Sequence, residues 1–240
     1  MRLLIKFKVL KEKENSPLNV KLQGFFYSLF KDTKLFPLHN KKSYKFFCFS
    51  NLFGGKRQKK FIICSPSKEF LKIVAQRILK KEKIKIGENL YEISNLKFFD
   101  LKIKPPLKII TLSPIIIRVP KNKFKEYKIF SKFPCFYWRP EYPIEIFLNQ
   151  LEANIFKKYK MFHQKKIEEF PIFQKILFKK SVALPLKIHK NKVIYIGSLW
   201  EFRFEAIDKK TKDILKFAID CGFGEKNSMG FGFVNLEKKS

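Results

Sequence analysis

Three histidines occur in this chain, His39, His163 and His189, and histidine is the side chain best matched to moving protons near neutral pH. His163 stands among Lys160, Lys165 and Lys166, where a solvated surface role is the simplest account. His189 falls in Lys187-Ile-His-Lys-Asn, between two expected strands. His39, in Pro37-Leu-His-Asn-Lys-Lys, falls in an expected loop, the kind of segment on which catalytic side chains are commonly displayed. A second concentration of unusual residues lies near the C-terminus. Four of the nine glycines fall in segment 222–232, which reads Gly-Phe-Gly-Glu-Lys-Asn-Ser-Met-Gly-Phe-Gly. Gly222, Gly224, Gly230 and Gly232 permit backbone angles that let successive N–H groups converge on an anion, and Lys226, Asn227 and Ser228 offer charge and donors at the tip. With a formal net charge of +31, the matching anion is phosphate.

Composition supports a nucleic-acid partner. Lys and Arg number 52 against 21 Asp and Glu, an excess that calls for a polyanion. Only six of the 52 are arginine. An AT-rich genome would also raise lysine, but it does not account for the scarcity of acidic residues. Cys48, Cys64, Cys135 and Cys221 lie far apart, with no C-x-x-C pair and no histidine at zinc-ligand spacing, so no metal site, disulfide framework or cofactor is expected. No apolar run reaches the ~18 residues a membrane span needs, and charge interrupts the N-terminus too early for a signal peptide. A cytoplasmic protein with no membrane role is expected.

The elements that must position these residues can be read in order. Leu3, Ile5, Phe7 and Val9 alternate as in a strand. A helix is expected over 18–30, strands over 44–49 and 60–64, a helix capped by Ser67 running to about Lys81, and a strand pair over 84–99. Pro105-Pro106 is the clearest punctuation. The order then restarts with a strand over 115–119 and a helix over 144–163 that buries Phe147, Leu151, Ile155 and Tyr159. Strands over 176–188, 192–196 and 200–207 follow, then a helix from about Thr211 with Gly222 at its C-terminal end, and a closing strand over 231–236. The expected fold is α+β: two tandem ferredoxin-like (RRM-like) β-α-β-β-α-β domains, 1–107 and 108–240. The glycine segment does not fit a Walker or dinucleotide loop, because it leaves a helix and enters a strand, the reverse of those loops.

The spacing G-x-G-x(5)-G-x-G before a terminal strand closely resembles the signature of the CRISPR-associated repeat-processing endoribonucleases, the Cas-six family of the repeat-associated RNA-binding superfamily. Leu22-Gln-Gly24 with Tyr27, Thr111-Leu-Ser-Pro114 and Leu151-x-x-Asn154-Ile-x-x-Lys-Tyr159 are similar to further stretches of that family. The resemblance covers nearly the whole chain. It implies two ferredoxin-like domains and a metal-independent endoribonuclease that cuts the repeat of a CRISPR transcript into guide RNAs, leaving a 2′,3′-cyclic phosphate and a 5′-hydroxyl. It implies a catalytic set of Tyr27, His39 and Lys45, with acid and base unassigned between His39 and Tyr27, and RNA binding by the glycine segment. CRISPR repeat RNA is the implied partner, other subunits of a CRISPR-associated complex are further candidates, and a monomer or homodimer is expected. The rival readings are a guide-RNA-binding subunit that does not cut and a general RNA-binding protein.

Overall fold

A computed structural model describes residues 1–13, 19–30, 44–132, 135–188 and 191–237. The first half begins with β1 (Arg2–Lys11), α1 (Asn19–Phe30), β2 (Cys48–Phe49) and β3 (Gln58–Cys64), and continues with α2 (Lys68–Leu79), β4 (Lys83–Ile86) and β5 (Asn89–Phe99). Its five-stranded sheet runs β2-β3-β1-β5-β4, the ferredoxin-like order with β4 added at the edge. The alternating Leu3, Ile5 and Phe7 of β1 all turn inward. They meet an aromatic face of α1, where Phe26 stacks on Phe61 with ring centroids 5.2 Å apart. α2 starts where expected, because Ser67 Oγ accepts from the Phe70 amide at 3.1 Å.

The second half comprises β6 (Leu107–Thr111), β7 (Arg118–Pro120), β8 (Cys135–Tyr137), α3 (Ile144–His163), β9 (Lys175–Ile188), β10 (Asn191–Phe204), α4 (Lys209–Cys221) and β11 (Val234–Leu236). Its four-stranded sheet runs β11-β6-β10-β9, again the ferredoxin-like order, and β7 and β8 form a separate ribbon. Trp200 anchors the core, stacked at 4.2 Å on Phe147 of α3 and 5.3 Å from Trp138. Asp208 caps α4 by accepting from the Thr211 amide at 2.6 Å.

Three expectations are corrected. The first strand of the second sheet is β6, directly after Pro105-Pro106, and not 115–119. Ile115, Ile116 and Ile117 are all buried, but Ile115 and Ile116 make only isolated bridges, to Ser198 and Glu225, so an apolar run imitated a strand. The strands expected over 192–196 and 200–207 are one strand, β10, with a bulge between Leu199 and Trp200 that absorbs the break suggested by Gly197-Ser198. Of 44–49 only Cys48 and Phe49 join the sheet.

The start of β1 joins the two halves. The N-terminal ammonium pairs with Asp220 of α4. The fully buried Arg2 guanidinium donates to Val234 O at 2.8 Å and to Asn235 Oδ1 at 3.1 Å, and lies 5.1 Å from the centre of the Phe233 ring. Cys48 Sγ donates to Phe231 O at 3.3 Å. The glycine segment therefore lies at the seam between the halves.

On β10, Glu201 is 5% exposed and is held by Lys179 at 2.9 Å, Arg203 at 2.5 Å and Lys108 at 3.7 Å. The Lys179 bond first, then those of its other cations, hold the carboxyl down to about 2. A folded value below the ordinary carboxylate value of about 4.3 means that the stability Glu201 contributes is present above that value and lost as pH falls toward 2. Denaturation of Glu201→Gln is therefore expected to show a weaker loss of stability than wild type between about pH 4 and pH 2. Equal acid sensitivity would contradict this.

Candidate nucleic-acid interface

The glycine segment is a closed, internally bonded loop. Leaving α4, the Gly222 amide donates to Ala218 O at 2.8 Å, and the chain folds back so that the Phe223 amide donates to Gly232 O at 2.9 Å. Two further bonds pin it to the stretch after β6: the Glu225 amide to Ile116 O at 2.9 Å and the Gly232 amide to Pro114 O at 2.8 Å. Ser113 Oγ accepts from the Phe233 amide at 2.8 Å. The Thr-Leu-Ser-Pro stretch is thus part of the loop's scaffold.

Backbone crowding accounts for two of the glycines directly. Gly224 has φ +67°, and a Cβ there would lie 2.5 Å from Ile116 O. Gly232 has φ +66°, and a Cβ there would lie 1.8 Å from Phe223 O. Gly232→Ala is expected to cost several kcal/mol, read as a lowered midpoint in chemical denaturation; a wild-type midpoint would mean that the loop opens without penalty.

Below the loop, Lys158 of α3 is 1% exposed. Its ammonium donates to Gly222 O at 2.6 Å, Gly224 O at 2.9 Å and Asn227 Oδ1 at 3.0 Å. Burial pushes this lysine below its ordinary value, and the three oxygens satisfy its three donors. Asn227 in turn donates through Nδ2 to Phe223 O and Phe231 O, both at 3.0 Å.

This arrangement commits several of the loop's donors internally. Both Nδ2 donors of Asn227 are turned inward, so that side chain is a brace and not a donor at the tip. The amides of Gly222, Gly230 and Gly232 are likewise committed, to Ala218 O, Asn227 O and Pro114 O. The paired glycines close the loop and leave Lys226 and Ser228 to face outward. Lys226 takes φ +58°, and its ammonium lies 5.9 Å from the centre of the Tyr195 ring.

Those two residues border a cleft of about 730 Å³ that is also lined by Tyr44, Lys45, Phe46 and Lys157. Arg118 and Glu225 stand on its wall as an ion pair, with Arg118 Nε donating to Oε2 at 2.6 Å. The cleft adjoins a second cavity of about 410 Å³, the two sharing Tyr44, Arg118, Asn154, Lys157 and Glu225 as lining residues. Four cations, Lys45, Arg118, Lys157 and Lys226, thus face one half-buried acid, Glu225. Burial first, and then Glu225, pushes the Tyr44 phenol up, so it remains a neutral hydrogen-bond donor.

Of the expected catalytic residues, Lys45 lines this cleft beside the loop tip. Tyr27, half-buried on α1, packs against the core of the first half and is not among the cleft's lining residues. His39 and His189 lie outside the described residues. His163 ends α3 with its ring 4.3 Å from that of Tyr159 and 5.6 Å from that of Phe217, and burial before Lys165 pushes it below its ordinary value. Sequence reasoning did not single out Tyr44, Phe46, Arg118 or Lys157. The available signal was the i, i+3, i+4, i+7, i+11 spacing of Gln150, Ala153, Asn154, Lys157 and Met161 on α3, a face left over once the buried stripe is removed.

Residues 100–236 match the family model described as CRISPR associated protein Cas6, C-terminal. A Methanocaldococcus jannaschii protein named CRISPR-associated endoribonuclease Cas6 2 is 33% identical over 230 residues, covering 89% of this chain and 90% of that one. A Haloferax mediterranei protein named CRISPR-associated endoribonuclease Cas6 is 25% identical, covering 92% and 87%. Among solved structures, one described as an RAMP protein binding different RNA substrates superposes with a TM-score of 0.74 at 20% identity, over 99% of this chain and 100% of that one. Such a likeness carries the tandem ferredoxin-like fold, while the family model and the Methanocaldococcus relative carry the lineage. By that family model, which spans more than half of the sequence, and by that relative, this chain belongs to the Cas6 family.

Proposed function

We propose that this protein is an endoribonuclease that binds the repeat of CRISPR precursor RNA and cleaves it without a metal ion, by attack of a 2′-hydroxyl on the adjacent phosphorus. The attacking oxygen forms a bond to phosphorus as its proton leaves, and the bond to the 5′-oxygen breaks as that oxygen gains a proton. The products are a 2′,3′-cyclic phosphate and a 5′-hydroxyl. His39 and Tyr27 are the groups proposed to handle the protons, and Lys45 supplies positive charge to the crowded phosphorane. Lys226 and Ser228 at the loop tip hold the RNA backbone, within two domains divided near residue 107.

The observation that carries this reading is the convergence of Lys45 with the loop tip, some 180 residues further along the chain, on one cation-lined cleft. Cations in that excess favour a phosphate backbone and make affinity fall with salt, by ~0.7 log units per log unit of salt for each single-strand phosphate neutralised. Incubation with labelled repeat RNA in EDTA, beside an unrelated RNA of equal length, is the test. The reading predicts one discrete cut in the repeat alone. Binding without any cut would identify a guide-RNA-binding subunit instead, and equal binding of both RNAs a general RNA-binding protein.

A further inference from the structure

Phosphate chemistry does not account for one side of the cleft. Tyr44 and Phe46 line it with rings 6.2 Å apart, and Phe162 meets Phe46 edge-on at 5.2 Å. Met161, 47% exposed, extends this apolar patch from α3. Phe46 is held at φ +49°, a left-handed conformation that bulky residues avoid, and its carbonyl is fixed by Ser65 Oγ at 2.7 Å. Strain of this kind persists where the surrounding structure imposes it, and it clusters at ligand sites. Asn154 lines the same cleft and also the adjoining cavity. Its Oδ1 is buried and has no hydrogen-bond partner among the described residues. Buried polar atoms are nearly always paired, so an unpaired acceptor on a residue that lines the cleft points to a missing donor.

We infer that this corner of the cleft is a nucleobase subsite, in which one unstacked base of the bound RNA lies against Tyr44 and Phe46 and donates an edge N–H to Asn154 Oδ1. Aromatic side chains and a hydrogen-bonding amide are the combination that reads a splayed-out base. A phosphate oxygen does not satisfy Asn154 Oδ1, because both are acceptors. The cations Lys45, Lys157 and Lys226 around the same cleft place the flanking backbone, so the base enters as part of a strand. The subsite rests on the RNA-binding reading above and adds to it a point of sequence discrimination, with Asn154 as the specificity-determining residue.

Abasic scanning tests it. Each nucleotide of a repeat RNA made uncleavable by a 2′-deoxy sugar is replaced in turn by an abasic ribose, and affinity is measured for wild type, Asn154→Leu and Tyr44→Leu. In wild type, loss of the base at one position, or at two adjacent positions, is expected to weaken binding about ten-fold. That penalty should shrink toward one-fold in both variants, while penalties elsewhere stay as they were. N-methylation of the edge at that base should weaken wild type but not Asn154→Leu. Equal penalties in all three proteins, or no position with a penalty, would overturn the subsite even if the repeat is cut. A base-specific penalty without any cleavage of the unmodified repeat would support the subsite and sink the proposed cleavage.

Discussion

His39→Ala is expected to slow repeat cleavage about 10²–10⁴-fold, the usual contribution of a positioned acid or base, while RNA affinity stays at the wild-type level. The split follows from the division of labour proposed above. Binding is assigned to the cleft cations and the loop tip, whereas His39 acts only as charge moves during the reaction. Single-turnover rates at saturating enzyme, with affinity measured separately, would resolve the two. Unchanged cutting by His39→Ala would remove this residue from the mechanism and turn attention to Tyr27 and Lys45. Tyr27→Phe, which deletes only the phenolic oxygen, then shows whether that hydroxyl takes part.

Lys158→Met is expected to have a large effect on the architecture and on RNA binding together. The substitution keeps most of the side-chain volume but leaves Gly222 O, Gly224 O and Asn227 Oδ1 without their shared donor. Each orphaned buried acceptor costs about 1–3 kcal/mol, and removal of the desolvated ammonium offsets part of that sum. A net loss of about 2–4 kcal/mol is expected on denaturation, together with weakened RNA binding, because Lys226 and Ser228 are presented by the loop that Lys158 braces. Lys158→Arg should not rescue either property, since a planar guanidinium does not fit the three-oxygen socket of an ammonium. A methionine variant with wild-type stability and affinity would show that the loop keeps its shape without the clip.

These two residues mark how far the sequence could be read. Helix α3, the Ser67 cap and the inward face of β1 follow from periodicity and capping, which are local. The strand β6 escaped because its five residues follow two prolines, while the nearby isoleucine run looked more strand-like and is buried for a different reason: it docks under the glycine loop. The segment 222–232 was recognisable from spacing alone, and so was its place between helix and strand. Its internal wiring was not, because the lysine that closes it lies 64 residues before Gly222 and one helical turn after Asn154. The motif containing Lys158 was visible, but a lysine in a chain with 52 basic residues carries no mark of burial. Likewise, Tyr44 and Phe46 are two among 37 phenylalanines and tyrosines, and only the cleft distinguishes them. Contacts between sequence-distant residues, and not local propensity, decide which members of an abundant type are functional.

The measurement that tests the cleavage chemistry most directly is a comparison of two repeat RNAs in EDTA, identical except for a single 2′-deoxy sugar immediately upstream of the cut. The all-ribose RNA should be cleaved to a 2′,3′-cyclic phosphate and a 5′-hydroxyl, and the deoxy RNA should bind equally well and stay intact. Cleavage of the deoxy RNA, or loss of all cleavage in EDTA with recovery on adding a divalent cation, would contradict attack by the RNA's own 2′-oxygen without metal.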